Sequence, residues 1–161
     1  MSNITFKGLV RDLKKIYQHH EQINDFGFGY SEDITIKHDK EGAVQYPYMF
    51  IVPAPTTLDE RQLTYSFDLI IMDRVINYTD ENLQDILSDT NQTIQDVVAQ
   101  FAYGYGAADG DYANTYAIQT PIDVRPFADK YDDYVAGWLC TINVTLPQTL
   151  DRCIAPFTDF D

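Results

Sequence analysis

The hydrophobic positions of this chain change their period near its middle. Between Tyr65 and Ile71 every second residue is apolar, which is typical of a β-strand. Further on, apolar residues recur three or four positions apart, as on one side of an α-helix: Leu83, Ile86, Leu87, Ile94, Val97, Val98 and Phe101. We expect the strand Leu63–Val75 to lead into a long helix that Thr79 caps and that extends through Tyr103. This apolar stripe must be covered, either by the sheet or by a neighbouring subunit.

The first third of the chain predicts one helix and one hairpin. Apolar residues at helical spacing predict a first helix near Thr5–Glu21, with lysines and arginine on its other side. Two glycines in Asn24–Tyr30 favour a turn or an unusual backbone. Alternating residues then predict strands at Asp33–His38 and Ala43–Val52, joined by a turn at Asp39–Gly42.

The remaining pattern predicts two further strands. Pro53–Pro55 is expected to stop the second hairpin strand, and Gly104–Asn114 to form a loop. Alternation predicts strands at Tyr116–Arg125 and Trp138–Leu146, and Pro147 ends the latter. The order α-β-β-β-α-β-β predicts an α+β fold, a mostly antiparallel sheet packed by two helices.

Size and charge limit the function. The chain has 161 residues, which predicts one domain at residues 1–150, followed by an acidic tail at residues 151–161. No apolar run is long enough to span a membrane, and no secretory signal precedes the first helix, so synthesis in the cytoplasm is expected. The 25 acidic residues outnumber the 11 basic ones, for a net charge of −14. That balance argues against nucleic-acid binding and against docking on anionic membranes.

The sequence shows no catalytic motif. His19, His20 and His38 lack partners at metal-ligand spacing, so structural roles are expected. Cys140 falls on the core side of its strand and predicts a buried, inert thiol. Cys140 and Cys153 are interpreted as free thiols, with a disulfide as the alternative. We therefore expect no enzymatic activity, no cofactor and no metal.

Two acidic loops are candidates for contacts with partners. Asp109 and Asp111 superficially suggest a calcium loop, but the ligand order and the twelfth-position glutamate are missing, so turn chemistry is preferred. Asp129, Asp132 and Asp133 lie in a second predicted loop. Paired carboxylates can perform acid–base chemistry, but a chain of this charge needs no such explanation for them.

The layout resembles small neck and tail-terminator proteins of tailed bacteriophages, including phages of Bacteroidetes-type hosts and the crAss-like group. The resemblance covers nearly the whole chain and is carried by short segments: Asn24–Tyr30 (NDFGFGY), Tyr46–Val52 (YPYMFIV), Phe67–Val75 (FDLIIMDRV), Asn82–Thr90 (NLQDILSDT), Ile94–Phe101 (IQDVVAQF) and Gly137–Trp138. These follow the order of an N-terminal helix, a strand group, a second helix and final strands.

The resemblance implies a structural virion protein of the neck or tail. Copies in that family form rings, often hexamers and sometimes dodecamers, which contact neighbouring neck or tail proteins. DNA passes through the channel of such a ring without specific binding. On this reading the residues predicted to face the lumen or a partner are Tyr105, Asp109, Asp111, Asp129, Asp132, Asp133, Phe157 and Phe160.

Three alternatives stay open at this point. The acidity is compatible with a DNA mimic that inhibits a nucleic-acid-binding protein. The loop carboxylates are compatible with an enzyme, although no arrangement of nucleophile and base is legible. An oligomeric binding module of another kind would have the same composition. All of these readings assume that the stripe from Leu83 to Phe101 lies across a sheet.

Overall fold

The computed structural model describes residues 4–34, 44–105, 116–130, 134–150, 153 and 156–158. The helices are α1 (Phe6–His19) and α2 (Asp80–Gln100). The strands are β1 (Asp25–Phe28), β2 (Tyr48–Leu58), β3 (Gln62–Arg74), β4 (Ala117–Ile118), β5 (Val124–Lys130) and β6 (Tyr134–Pro147). A 3-10 turn at Ser31–Ile34 follows β1, and a π-helical segment at Phe101–Tyr105 extends α2.

The strands form one mixed sheet in the order β1-β2-β3-β6, with β4 and β5 both paired to β6. Only β1 and β2 run parallel; the other described pairs are antiparallel. Both helices pack on the same face of this sheet in one hydrophobic core. The predicted α+β fold, with two helices on a mostly antiparallel sheet, is confirmed.

Helix α1 begins where the sequence predicts. The Thr5 hydroxyl accepts a hydrogen bond from the Gly8 backbone N–H at 3.1 Å and so caps the first turn. Leu9, Leu13 and Ile16 are buried because they lie one helical turn apart on the side that faces the sheet. Their spacing therefore determines which side of α1 is left for solvent.

Helix α2 is the predicted long helix, capped by Thr79, whose hydroxyl accepts from the Asn82 N–H at 3.2 Å. All seven residues of its apolar stripe are at least partly buried. Ile94, Val97 and Phe101 are fully buried against the sheet. The Trp138 indole N–H on β6 donates to the Leu87 carbonyl at 2.7 Å, which ties the helix to the strand.

The opposite face of the sheet is divided into an apolar and a polar half. Near the 3-10 turn, a second cluster buries Ile34, Val44, Tyr48, Phe50, Met72 and Val135. Further along β3 and β6, polar side chains that lie directly opposite one another form hydrogen bonds. Ser66 donates to Asn143 at 2.5 Å, and Thr141 donates to Asp68 at 2.7 Å. The face of β6 opposite the helices is thus largely polar only in this half.

The first predicted hairpin strand is wrong where the structure describes it. Asp33 and Ile34 lie in the 3-10 turn, and residues 35–43 are outside the described residues. The strand instead lies at β1, inside the segment predicted to be a turn. A Cβ on Gly27 would lie 2.2 Å from the Tyr48 hydroxyl oxygen, so this glycine permits close packing on β2 and does not make a turn.

The prediction that Pro53–Pro55 stops the second strand is also wrong, because β2 continues through Leu58. Ile51 accepts a hydrogen bond from the Gly29 N–H on the outer side, and the backbone of Pro53, two residues further, faces that same side. Pro53 therefore removes no bond between β2 and β3. The register with β3 shifts by one residue between Ala54 and Thr57, so Pro55 lies in a bulge.

The predicted strand Tyr116–Arg125 is divided into β4 and the start of β5. The segment between them contains Pro121, which cannot donate to a ladder. Asp129, predicted to lie in a loop, is in β5 opposite Val135. Of the predicted loop Gly104–Asn114, the first two residues end the π-helical segment and the rest lies outside the described residues.

Replacing Gly137 with alanine tests the contact between β3 and β6. A Cβ at this position would lie 1.9 Å from the Ile71 carbonyl oxygen, so the two strands must separate. We expect Gly137→Ala to lower the free energy of unfolding, measured by urea titration, by about 1–3 kcal/mol. The matched control is Ala128→Gly on the exposed side of β5, with an expected loss of about 0.5–1 kcal/mol. Equal losses in the two variants would contradict this packing.

Candidate functional site

The residues predicted to contact partners are only partly within the described chain. Asp129 is exposed on β5, and Phe157 is 68% exposed beyond the sheet. Tyr105 ends the π-helical segment. Asp109, Asp111, Asp132, Asp133 and Phe160 lie outside the described residues. The exposure of Asp129 and Phe157 is compatible with a contact role, and the set stays a prediction.

The thiol of Cys140 is buried in the core, as its place in the alternating pattern predicts. Burial, together with the charge of the nearby Asp68 carboxylate, raises the pKa of the Cys140 thiol to about 12. The thiolate form is therefore negligible at neutral pH, and the thiol is a poor nucleophile. Cys153 is exposed, and the two cysteines form no disulfide.

A cavity of about 600 Å³ lies between the end of α1 and the second half of α2. His20 Nδ1 accepts from the Gln22 backbone N–H at 3.1 Å. This leaves His20 Nε2 as the donor to Asp96 Oδ2, at 3.2 Å. The second carboxylate oxygen of Asp96 accepts from the Gln92 side-chain amide at 3.3 Å.

This histidine–aspartate pair joins two elements that are distant in sequence. His20 and Asp96 are 76 positions apart, and the bond connects the end of α1 to the outer surface of α2. The residues that line the cavity include no serine, threonine, cysteine or lysine that His20 could activate as a nucleophile. The arrangement acts as a clasp between the helices, which agrees with the structural role predicted for His20.

Two properties of the described residues limit the kind of site they can form. No group of three or more histidine, cysteine, aspartate or glutamate side chains in that part of the chain is arranged to hold a metal ion. None of its helices combines the length and apolarity that crossing a membrane requires. The surfaces of the helix layer are therefore the next candidates.

An apolar groove of about 310 Å³ runs along the second half of α2. Its helix side is formed by Val98, Ala102 and Tyr103. Its other side is formed by Ile122, just before β5, and Val124, the first residue of β5. The Tyr103 side chain is 74% exposed at its rim. Such exposed apolar surface is typical of sites that bind another protein segment.

The outer surfaces of the two helices carry opposite charge. Helix α1 exposes four basic side chains: Lys7, Arg11, Lys14 and Lys15. Helix α2 exposes five acidic side chains and contains no lysine or arginine: Asp80, Glu81, Asp85, Asp89 and Asp96. Four of the eleven basic residues of the chain thus lie on one helix of 14 residues.

The outer strands limit sheet extension. Pro53 lies on β2 beyond the end of β1, where no described strand pairs with its outer side, and Pro126 lies on β5 at the other side of the sheet. Each of these prolines removes a backbone donor that an added strand would use. At these two positions a contact through side-chain surfaces is therefore better supported than addition of a strand.

The basic side of α1 is visible in the sequence, whereas the groove and the clasp are not, because they depend on tertiary structure. The groove needs the packing of residues 120–124 against α2, and the clasp needs two helices brought together. The acidity of α2 was visible as a run of 21 residues without a cation. That signal points to an exposed surface once the apolar stripe is assigned.

The whole sequence was compared with models of protein families and with curated proteins, and nothing matched in either comparison.

The carboxyl group of Asp73 makes the stability of the fold depend on pH. Asp73 lies at the end of β3, and its Oδ1 accepts from the Arg74 N–H at 2.7 Å. Burial raises the pKa of Asp73 above its ordinary value of 3.8, and the charge of Asp89 on α2 adds to this rise, against the lowering effect of the Arg74 bond. The folded state thus binds this proton more tightly than the unfolded state. Its stabilising contribution is present at low pH and is lost as the pH rises through the folded-state pKa.

Replacing Asp73 with asparagine should therefore stabilise the protein at pH 7. Asparagine keeps an oxygen for the Arg74 N–H but has no charge to bury near Asp89. We expect a higher free energy of unfolding for Asp73→Asn at pH 7, with a difference that shrinks as the pH falls towards 3.8. Chemical denaturation at several pH values measures this.

Asp59→Asn is the matched control. Asp59 also accepts the N–H of its following residue, at 2.7 Å, but it is exposed in the turn between β2 and β3. A gain at pH 7 in both variants, or a gain for Asp73→Asn that does not depend on pH, would show that burial near Asp89 is not the cause.

Proposed function

We propose that this protein is a structural component of a tailed-bacteriophage virion, and that copies of it form a ring in the neck or tail. In this role it contacts neighbouring ring proteins and leaves a channel through which DNA passes. The chain itself catalyses no reaction in this role and requires no cofactor. Its place of action is the virion, after synthesis in the host cytoplasm.

The observation that carries the proposal is the outer surface of the helix layer. An apolar groove and two helix surfaces of opposite charge are exposed there. Exposure of these surfaces to water does not stabilise a monomer. An assembly of identical copies can bury the apolar groove and bring the opposite charges together. The layout resemblance to neck and tail-terminator proteins favours the same role.

The charge of the chain is compatible with a DNA channel. Binding to the phosphate backbone requires clustered cations that displace counterions. Helix α2 has only acidic charges, and the chain has a net charge of −14. An acidic channel wall would repel DNA at every position and would let it pass without being held.

The proposed ring is tested by the mass and shape of the purified protein. We expect light scattering to give six or twelve times the 18.5 kDa of one chain, and negative-stain images to show closed rings. Neck or tail proteins of the same phage should increase the ringed fraction if assembly needs a partner. A mass of one chain under all of these conditions would contradict the proposal.

Removing residues 151–161 tests whether the acidic tail is a docking segment. Among the described residues, the last backbone bonds that hold this end to the turn between β2 and β3 are Gln148 N–H to the Arg61 carbonyl and Leu150 N–H to the Glu60 carbonyl, both at 3.1 Å. A chain that ends at Leu150 keeps these bonds. We expect its thermal midpoint to change by less than about 4 °C, while binding to the adjoining ring protein is lost.

The point variant Phe157→Ser serves as the control for truncation, because it leaves the chain length and charge unchanged. It should weaken docking without affecting folding. If the truncated chain does not fold, the tail belongs to the core. If it folds and docks as the full chain does, the tail is not a docking segment.

A DNA mimic is the second candidate, and the acidic outer surface of α2 is the observation that favours it. Asp85 and Asp89 are one helical turn apart, which gives carboxylates at regular intervals along a rod. A mimic would act as a monomer or dimer and would inhibit a basic nuclease at a stoichiometric ratio. A closed ring that leaves such a nuclease fully active would exclude this candidate.

A further inference from the structure

We infer that the basic outer surface of α1 in one copy docks on the acidic outer surface of α2 in a second copy, with the two helices antiparallel. The inference rests on the proposed ring function and supplies the contact between its copies. The occupant of each helix surface is thus a second copy of this chain.

The surface on α1 combines positive charge with an exposed aromatic ring. The side of the helix opposite the buried Leu9 and Leu13 carries the basic residues, including Lys14 and Lys15 in its second half. Beside its first turn, Phe28 of β1 lies 6.0 Å from the Phe6 ring, measured between centroids, and is 47% exposed. Lys7 and Arg11 extend the positive charge towards the first turn, but Lys14 and Lys15 lie at the end of α1 away from Phe28.

The surface on α2 has the complementary composition. Four of its five acidic residues, from Asp80 to Asp89, lie in the first half of the helix. The apolar groove borders the second half, between Ile94 and Tyr103. One end of α2 is thus suited to lysines and the other to an aromatic side chain.

Only one relative orientation satisfies both matches. The lysines of α1 meet the acidic half of α2, and Phe28 meets the groove, when the helices run in opposite directions. Along α1, Phe6 and Lys14 are about 12 Å apart, and along α2, Asp85 and Val98 are about 20 Å apart, at 1.5 Å per residue. The length of the lysine side chains covers part of this difference.

Electrostatics also excludes the competing contacts. Two copies that meet through α2 bring ten carboxylates together, and two that meet through α1 bring eight cations together. Like charges across an interface disfavour those encounters, whereas opposite charges favour the mixed contact and raise its association rate. Burial of Phe28 in the groove then supplies the apolar area that exposed ion pairs do not provide.

Charge reversal on the full chain tests the contact. We expect Lys14→Glu with Lys15→Glu to weaken self-association about tenfold or more, and Asp85→Lys with Asp89→Lys to do the same. All four changes in one chain exchange the signs at these four positions and keep the net charge at −14. The dissociation constant of this quadruple variant should lie within about threefold of that of the unaltered protein. Sedimentation at several concentrations gives the dissociation constants.

Two further variants separate the contact from general charge effects. Glu32→Lys with Glu60→Lys changes the net charge as the α2 variant does, but at exposed positions away from both helices, and should not weaken association. Phe28→Ser should weaken association without altering its dependence on salt. Circular dichroism and thermal unfolding confirm that each variant is folded before it is compared.

The outcomes distinguish this inference from the proposed function. If the folded double variants assemble as the unaltered chain does, or if the variant with all four changes does not regain association, the helix contact is wrong even where rings form. If association follows the charge pattern but images show no closed rings, the contact stands and the ring role fails. A chain that is monomeric at all concentrations and salt levels overturns both.

Discussion

The burial of the apolar stripe of α2 against β3 and β6 is the interaction on which the rest of this structure depends. Ile94, Val97 and Phe101 are fully buried there, and the Trp138 bond to Leu87 fixes the helix along the strand. Transfer of such side chains from water gives about 1.5–3 kcal/mol each, which is large beside the net stability of a domain. Because one side of the helix is committed to the sheet, its acidic side must face outward.

The same division explains why the surfaces proposed for contacts lie on the helix layer. On the opposite face, the half beyond the apolar cluster is occupied by hydrogen bonds among its own side chains, such as Ser66 to Asn143. Pro53 and Pro126 hinder strand addition at two positions along the outer strands. On the described surface, the outer sides of α1 and α2 are where charge and apolar area are arranged separately. The geometry of the core therefore leaves these two sides exposed.

Local patterns predicted what local physics determines. The stripe of α2, its cap Thr79 and the alternation along β6 depend on residues a few positions apart, and each was predicted from the sequence. Strand β1 was not legible, because its four residues gain stability only from parallel pairing with β2 and close packing at Gly27. The continuation of β2 through Pro53 depends on which side of the strand is uncovered. The groove and the clasp between His20 and Asp96 require contacts between distant segments.

Pro53, on the outer side of β2, would have a consequence in the proposed virion role. A virion component accumulates to high local concentration before it is incorporated, and unpaired strand edges at such concentrations nucleate cross-β stacking. Pro53 has no amide hydrogen that such stacking could use at this edge. Premature, irreversible fibre growth is thereby disfavoured, and the chain stays available for reversible contacts between its folded surfaces.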